Sequence, residues 1–290
     1  MRYLYNTPVK IAPHWIRDQR SIAGRVFTLR AWSFQSLEEA RERLEAKARR
    51  LEHFYRSAGS ADDVAQLRHD LRRLNDQTME YSTVLTETVV DVIDAHNTIT
   101  RNHYGAEVLN STDTCFLDVD AFPPSLVERI TSLFTSTQRH DQDRLLEAAS
   151  RICREHAGMA MRVYRTARGW RVVAAAPGLT PDSPLAATLY RCLRVDPLYA
   201  ALCSKQACWR ARLTPKPYRM RPELPGPYPQ PKSSAESQAD TDAWVATYRE
   251  KSAGKAVCRL VDTLGPSIDT RIVQEHDSRT GAAMLDAPLY

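Results

Sequence analysis

Hydrophobic and polar positions along the chain change period several times. In GRVFTLRAW, residues 24–32, Val26, Thr28 and Arg30 alternate with Phe27, Leu29 and Ala31, the period of a half-buried strand. Ser36 then opens SLEEARERLEAKARRLEHFY, where Leu37, Leu44, Leu51 and Phe54 recur at helical spacing and Ser36 with Glu39 forms a capping-box sequence. A second helix is expected over about 61–74, after the break at Ala58-Gly59-Ser60, and a third near 87–97. Charged outer faces on the first two helices read as solvated surface.

The pattern becomes strand-like after residue 97. HYGAEVLN, the turn STDT and CFLDVD together predict a β-hairpin, followed by a helix over 141–156. AMRVYRT, a turn at Ala167-Arg168-Gly169 and WRVVAAA predict a second hairpin. Short helices follow at 183–193 and 197–206, then a strand over 208–213. Residues 220–241, MRPELPGPYPQPKSSAESQADT, are rich in Pro and Ser without an apolar period, which predicts a mobile loop. A strand at 256–262 and a helix near 267–276 close the pattern. The expected fold class is α+β: a mostly antiparallel sheet in hairpin-helix-hairpin order over 98–290, covered on one face by helices, after a helical N-terminal region over 1–97.

Composition narrows the class. Of 290 residues, 43% are hydrophobic and 26% charged, as in soluble globular proteins. No apolar run approaches the ~20 residues that span a bilayer, and the start lacks the order of a signal peptide, so no membrane association and a cytoplasmic location are expected. The six cysteines are scattered in apolar segments and read as reduced core thiols; Cys203 and Cys208 lack a second pair to complete a zinc site. A net charge of +5 permits an anionic partner without demanding one.

Candidate chemistry centres on Asp118 and Asp120. Residues two apart on a strand point to one face, so these carboxylates repel unless a cation neutralises them. Mg²⁺ or Mn²⁺ does so naturally, taking one or two carboxylates together with phosphate oxygens. The alternative is a solvated strand end whose acids pair with arginines. Arg210 and Arg212 share one face of their strand, Lys216 and Arg219 continue the basic surface, and Arg165, Arg168 and Arg171 surround the second hairpin's turn. Guanidinium groups facing acids suit a metal-bound triphosphate or a nucleic-acid backbone, or else a structural ion network.

The stretch TRNHYGAEVLNSTDTCFLDVD resembles the first catalytic motif of the archaeo-eukaryotic primase and primase-polymerase superfamily, a hydrophobic strand ending in Asp-x-Asp, here Asp118 and Asp120. The resemblance spans about 101–262. It implies a second motif in YRTARGWRVVA, where Thr166 and Gly169 fit and Trp170 or Arg171 takes the place of the family's histidine. It further implies an acid at a strand end, for which Asp262 is the candidate. On this reading Asp118 and Asp120 hold the metal, Asp262 assists catalysis, and Arg165, Thr166, Arg171, Arg210, Arg212 and Lys216 bind the nucleotide or nucleic acid. The activity implied is divalent-metal-dependent nucleotidyl transfer. The missing histidine favours the alternative, a non-catalytic nucleic-acid-binding or interaction module on a degenerate primase-like fold. The charged N-terminal helices offer a surface for a protein partner. His103, Ser125 and the Glu275-His276-Asp277 run carry no comparable signal.

Overall fold

In a computed structural model, residues 9–57, 83–120, 141–235 and 239–290 are described. Among the described residues, ten strands form three antiparallel sheets. The first is a hairpin of β1 (His14–Ile22) and β2 (Arg25–Ser33), packed by α1 (Leu37–Ser57). Ile22, Leu29, Ala31, Leu44 and Leu51 make their shared core. The Ser36 hydroxyl caps α1 by accepting the Glu39 amide at 3.1 Å. The Glu39 carboxylate accepts the Ser33 hydroxyl instead, so half of the expected capping box forms.

A four-stranded sheet follows, in the order β3 (Thr88–Val92), β4 (Asn97–Arg101), β5 (Glu107–Ser111), β9 (Trp209–Arg212). The other four-stranded sheet runs β10 (Cys258–Leu264), β7 (Ala160–Thr166), β8 (Trp170–Ala175), β6 (Cys115–Val119). Helices α2 (Asp141–Glu155), α3 (Pro184–Cys192), α4 (Pro197–Gln206), α5 (Ala239–Ser252) and α6 (Arg271–Thr280) complete the described elements, with a 3-10 turn at Pro217–Glu223. Ser183 and Asp196 cap α3 and α4, each followed by proline at the first helical position, where no amide is needed.

One hydrophobic core joins both larger sheets, with Ile99, Leu109 and Ala211 from one and Phe116, Val163 and Val172 from the other. The Trp170 indole donates to Asp141 of α2 at 2.7 Å. On the opposite face the His276 ring of α6 lies 5.2 Å from both Phe116 and Tyr164. Helices therefore reach both faces of this sheet rather than one.

Several sequence expectations need correction. Segment 87–97 contains strand β3 instead of a helix; its run Thr88, Val89, Val90, Val92 is β-branched and suits a pleated surface. The expected first hairpin does not form. β5 pairs with β4 and β9, whereas β6 pairs with β8, and the Thr114 amide donating to the Ser111 hydroxyl closes the turn between the two sheets. The expected helix over 61–74 lies outside the described residues. The region over 1–97, expected to be mainly helical, carries strands β1, β2 and β3 beside α1 among its described residues; β1, β4 and α5 were not expected as elements, although Trp244, Val245 and Tyr248 have helical spacing.

The Pro/Ser-rich segment is packed rather than mobile through residue 235. Met220 and Tyr228 are buried with Trp244, Val245 and Tyr248 of α5. The Trp244 indole donates to the Gly226 carbonyl at 3.0 Å. Further on, the chain runs beside β1: Arg17 N donates to Lys232 O at 2.6 Å, and Ser234 exchanges hydrogen bonds with the Trp15 backbone. Gly105, at φ +91°, turns β4 into β5 directly beneath Trp244; a Cβ there would meet the indole at 2.7 Å. Trp244→Ala is expected to cost about 3–5 kcal/mol in chemical denaturation. Limited proteolysis of the wild type should leave residues 217–235 intact, and the variant should be cut there first.

Candidate functional site

Asp118 sits directly opposite Arg171 in the β6–β8 register. Pleating turns both side chains to the face that α6 covers. Arg171 Nε donates to Asp118 Oδ1 at 2.9 Å, and Nη1 donates to the Arg212 carbonyl of β9 at 2.8 Å. The same Nη1 lies 3.3 Å from His276 Nε2. His276 Nδ1 is 2.9 Å from Asp277 Oδ1, and Asp277 also accepts from Tyr164 and Arg162. An unbroken polar chain thus runs from the surface at Asp118, through Arg171 and His276, to Asp277.

Burial differs sharply along this chain. The Arg171 side chain is 1% exposed and that of Asp118 is 43% exposed. Burial opposes the charge on Asp118, but Arg171 outweighs it, aided by Arg212 and Lys216, and holds the carboxyl below its ordinary value. Burial likewise lowers His276, to about 4, against the pull of Asp277. The imidazole is therefore neutral at pH 7, with Nδ1–H donating to Asp277 and Nε2 accepting from Arg171.

Arg212 and Lys216 approach Asp118 from the end of β9. Arg212 Nε donates to Thr214 O at 3.2 Å. Burial, and then the neighbouring Arg171, bring its guanidinium down to about 10. Tyr218 is 50% exposed, with Lys216 Nζ 5.9 Å and Arg219 Cζ 5.8 Å from its ring centroid. Its phenol is lowered because Arg219, Lys216 and Arg168 together outweigh burial. The surface beside Asp118 thus carries four cations and one exposed aromatic ring.

The remaining sequence-predicted residues separate into groups. Asp120 is exposed immediately past the end of β6. Its backbone lies against Gly169, where a Cβ would come within 2.3 Å of the Asp120 and Val119 carbonyls. Thr166 accepts the Gly169 amide at 3.1 Å and shapes this turn. Arg165 stacks over Trp170 at 4.4 Å. Arg171, read from sequence as a phosphate ligand, lies under the surface and holds Asp118 from behind. Arg210 turns away: its Nη2 donates to both carboxylate oxygens of Glu87, at 2.8 and 2.7 Å. Asp262 is exposed on β10, at the opposite edge of the sheet from β6 with β7 and β8 between, and accepts the Thr263 amide. The structure brings Asp118, Asp120, Gly169, Arg212 and Lys216 together, and leaves Asp262 and Arg210 elsewhere.

Sequence reasoning missed His276 and Asp277. Their neighbours on a helix diverge, so nothing in the local spacing shows that one ring reaches a buried arginine on another strand. Among the described residues no group of three or more His, Cys, Asp and Glu side chains is gathered as in an all-protein metal cage. No described helix is long and apolar enough to cross a membrane. No family model, curated protein or solved structure matches the chain.

The polar chain has a pH consequence. His276 titrates at about 4 when folded and near the ordinary 6.5 when unfolded, so the unfolded chain takes up its proton first on acidification. The stability that neutral His276 retains above pH 6.5 should fall as pH drops from 6.5 to 4, by up to about 3 kcal/mol. His276→Gln keeps an acceptor and a donor without a titrating group. Denaturation midpoints of the two proteins across this window should converge as the pH falls; parallel curves would exclude the assigned protonation state.

Proposed function

We propose that the chain binds a nucleotide or single-stranded nucleic acid at the junction of β6 and β9, with phosphate oxygens at Arg212 and Lys216. The convergence of these two cations on Asp118 carries the reading. Tyr218, exposed between Lys216 and Arg219, offers the kind of aromatic face on which a base stacks, and Arg168 extends the positive surface along which a backbone would run.

Asp118 and Asp120 fit a hard divalent cation. Asp118 is held ionised and keeps 43% of its side-chain surface exposed, and Asp120 is exposed beside it. Two carboxylates are what Mg²⁺ or Mn²⁺ takes from a protein when phosphate and water supply its other ligands. Bound there, the cation would neutralise charge developing on a transferred phosphoryl group. The chain's own residues do the positioning: Arg171 fixes the Asp118 rotamer from behind, Gly169 lets the hairpin turn close against Asp120, and Arg212 orients the anion. The reaction class implied is nucleotidyl transfer of the primase-polymerase type.

One observation favours a second reading, binding without catalysis. Arg171 already compensates Asp118, so the carboxylate needs no metal to remain charged. The two readings separate in one set of assays. Arg212→Gln should weaken a labelled single strand about tenfold at low salt, with the loss shrinking as salt rises. Tyr218→Ala should cost about 1–3 kcal/mol of the same affinity. Metal-dependent incorporation of labelled nucleotide, lost in the Asp118→Ala/Asp120→Ala double variant, is the result expected of a transferase. Binding that survives in that variant, with no incorporation by the wild type, assigns the non-catalytic reading. Unchanged affinity in both Arg212→Gln and Tyr218→Ala would remove the site.

A further inference from the structure

A second polar cleft lies between the β1–β2 hairpin and the β3–β4–β5–β9 sheet. It is half open, with an empty volume of about 300 Å³ including its mouth. Trp15, Arg17 and Arg30 line it from the hairpin, Arg101 and His103 from the end of β4, and Tyr228 from the packed Pro/Ser-rich segment.

The arrangement of charge in this cleft is unusual for a structural interface. Arg17 and Arg30 are direct cross-strand partners, and like charges directly opposite each other destabilise a hairpin. Arg101 faces the cleft from the neighbouring sheet although it is only 8% exposed. Two acids stand among these cations, Glu87 in the lining of the cleft and Glu107 beside Arg101, and each is shared among several donors. Glu87 accepts from Arg210 through both oxygens and from Thr100. Glu107 pairs with Arg101 at 2.9 Å and with Arg249 at 3.1 Å, and Arg279 lies 3.9 Å away. Arg17 is held in place by Gln230, which accepts from Nη1 at 2.7 Å and, through its carbonyl, from Nη2 at 2.9 Å. The buried Nε atoms of Arg17 and Arg101 have no hydrogen-bond partner among the described residues. A buried guanidinium N–H without an acceptor is costly, and two in one cleft mark a place for an acceptor from outside.

From this geometry we infer that the cleft is a binding site for a phosphate-type oxyanion, either free or as a monoester. Guanidiniums reach it from two walls, Arg17 and Arg30 on one and Arg101 on the other. A tetrahedral anion with several acceptor oxygens can satisfy donors from both sides. The rings of Trp15 and Tyr228 flank the space, with the Tyr228 hydroxyl beside Arg101. The site is distinct from the Asp118 surface and does not depend on the reading proposed for it.

The test uses the full chain with inorganic phosphate, AMP and adenosine as probes, read as thermal stabilisation. Phosphate at about twenty times its dissociation constant should raise Tm by about 2–4 °C, and adenosine should not. A larger rise with AMP that Arg212→Gln keeps assigns the monoester as the ligand of the cleft; an equal rise in that variant assigns the free ion. In an Arg212→Gln background, which removes the phosphate contact proposed beside Asp118, the rise should remain, and adding Arg30→Gln or Arg17→Gln should abolish it. A rise lost in Arg212→Gln, or kept in both double variants, would overturn the inference, as would no rise in the wild type. Should the cleft variants fail to fold, phenylglyoxal labelling of the wild type decides. Phosphate should shield Arg17 and Arg30 in peptide mapping, and equal labelling with and without phosphate would refute the site.

Discussion

One buried guanidinium bridges the two larger sheets across their shared core. Arg171 leaves the start of β8, grips Asp118 on the neighbouring strand, and crosses to the Arg212 carbonyl at the edge of the other sheet. Placing an arginine at 1% exposure is expensive unless each donor is met and a counter-charge is present. Asp118 supplies the charge, the Arg212 carbonyl and His276 supply acceptors, and Asp277 fixes the tautomer of His276. Tyr199 reinforces the same seam, donating to the Phe116 carbonyl of β6 and accepting the Arg210 amide of β9 at 3.4 Å. The pair does not sum to a large stabilisation, because Asp118 is partly solvated and its Coulomb gain is screened. Its effect is on specificity: the polar chain is satisfied in one arrangement of β6, β8, β9 and α6.

That constraint explains the character of the candidate site. Asp118 is held charged and in one orientation before any ligand arrives. Arg212 is drawn toward it while its charge is opposed by burial and by Arg171, which makes an incoming anion favourable there. Gly169 brings the β7–β8 turn into backbone contact with Asp120, so the two acids are carried by rigid elements on both sides. Preorganised charge of this kind does more for binding and catalysis than flexible side chains can, because little is reorganised on association.

Local patterns disclosed the elements whose burial follows simple periodicity. The β7–β8 hairpin, helix α2 and the short helices α3 and α4 were all expected from the local pattern, and the structure shows Ser183 and Asp196 capping the last two. Pairing between distant strands was not legible. β5 and β6 look like a hairpin because only three residues, Thr112, Asp113 and Thr114, join them, yet each strand is buried in a different sheet, and only the identity of β9 as the partner of β5 shows why. Docking of the Pro/Ser-rich segment was hidden for a related reason: its few anchors, Met220 and Tyr228, gain their burial from α5, which follows in the chain. At the site, the sequence pointed to Asp118, Asp120 and Arg212, because strand parity places carboxylates and guanidiniums on defined faces. It could not show that Arg171 is inside, that Arg210 serves Glu87, or that His276 completes the polar chain, since these depend on how the sheets meet.

The measurement that bears most directly on this account is native-state hydrogen exchange on Arg171→Met, a substitution that keeps volume and removes the guanidinium. If Arg171 joins the sheets, amides of β6 and β8 and those of β9 should lose protection together and by a similar factor, while the β1–β2 hairpin keeps its own. Loss confined to β6 and β8, with β9 as protected as in the wild type, would show that the sheets are held together without it.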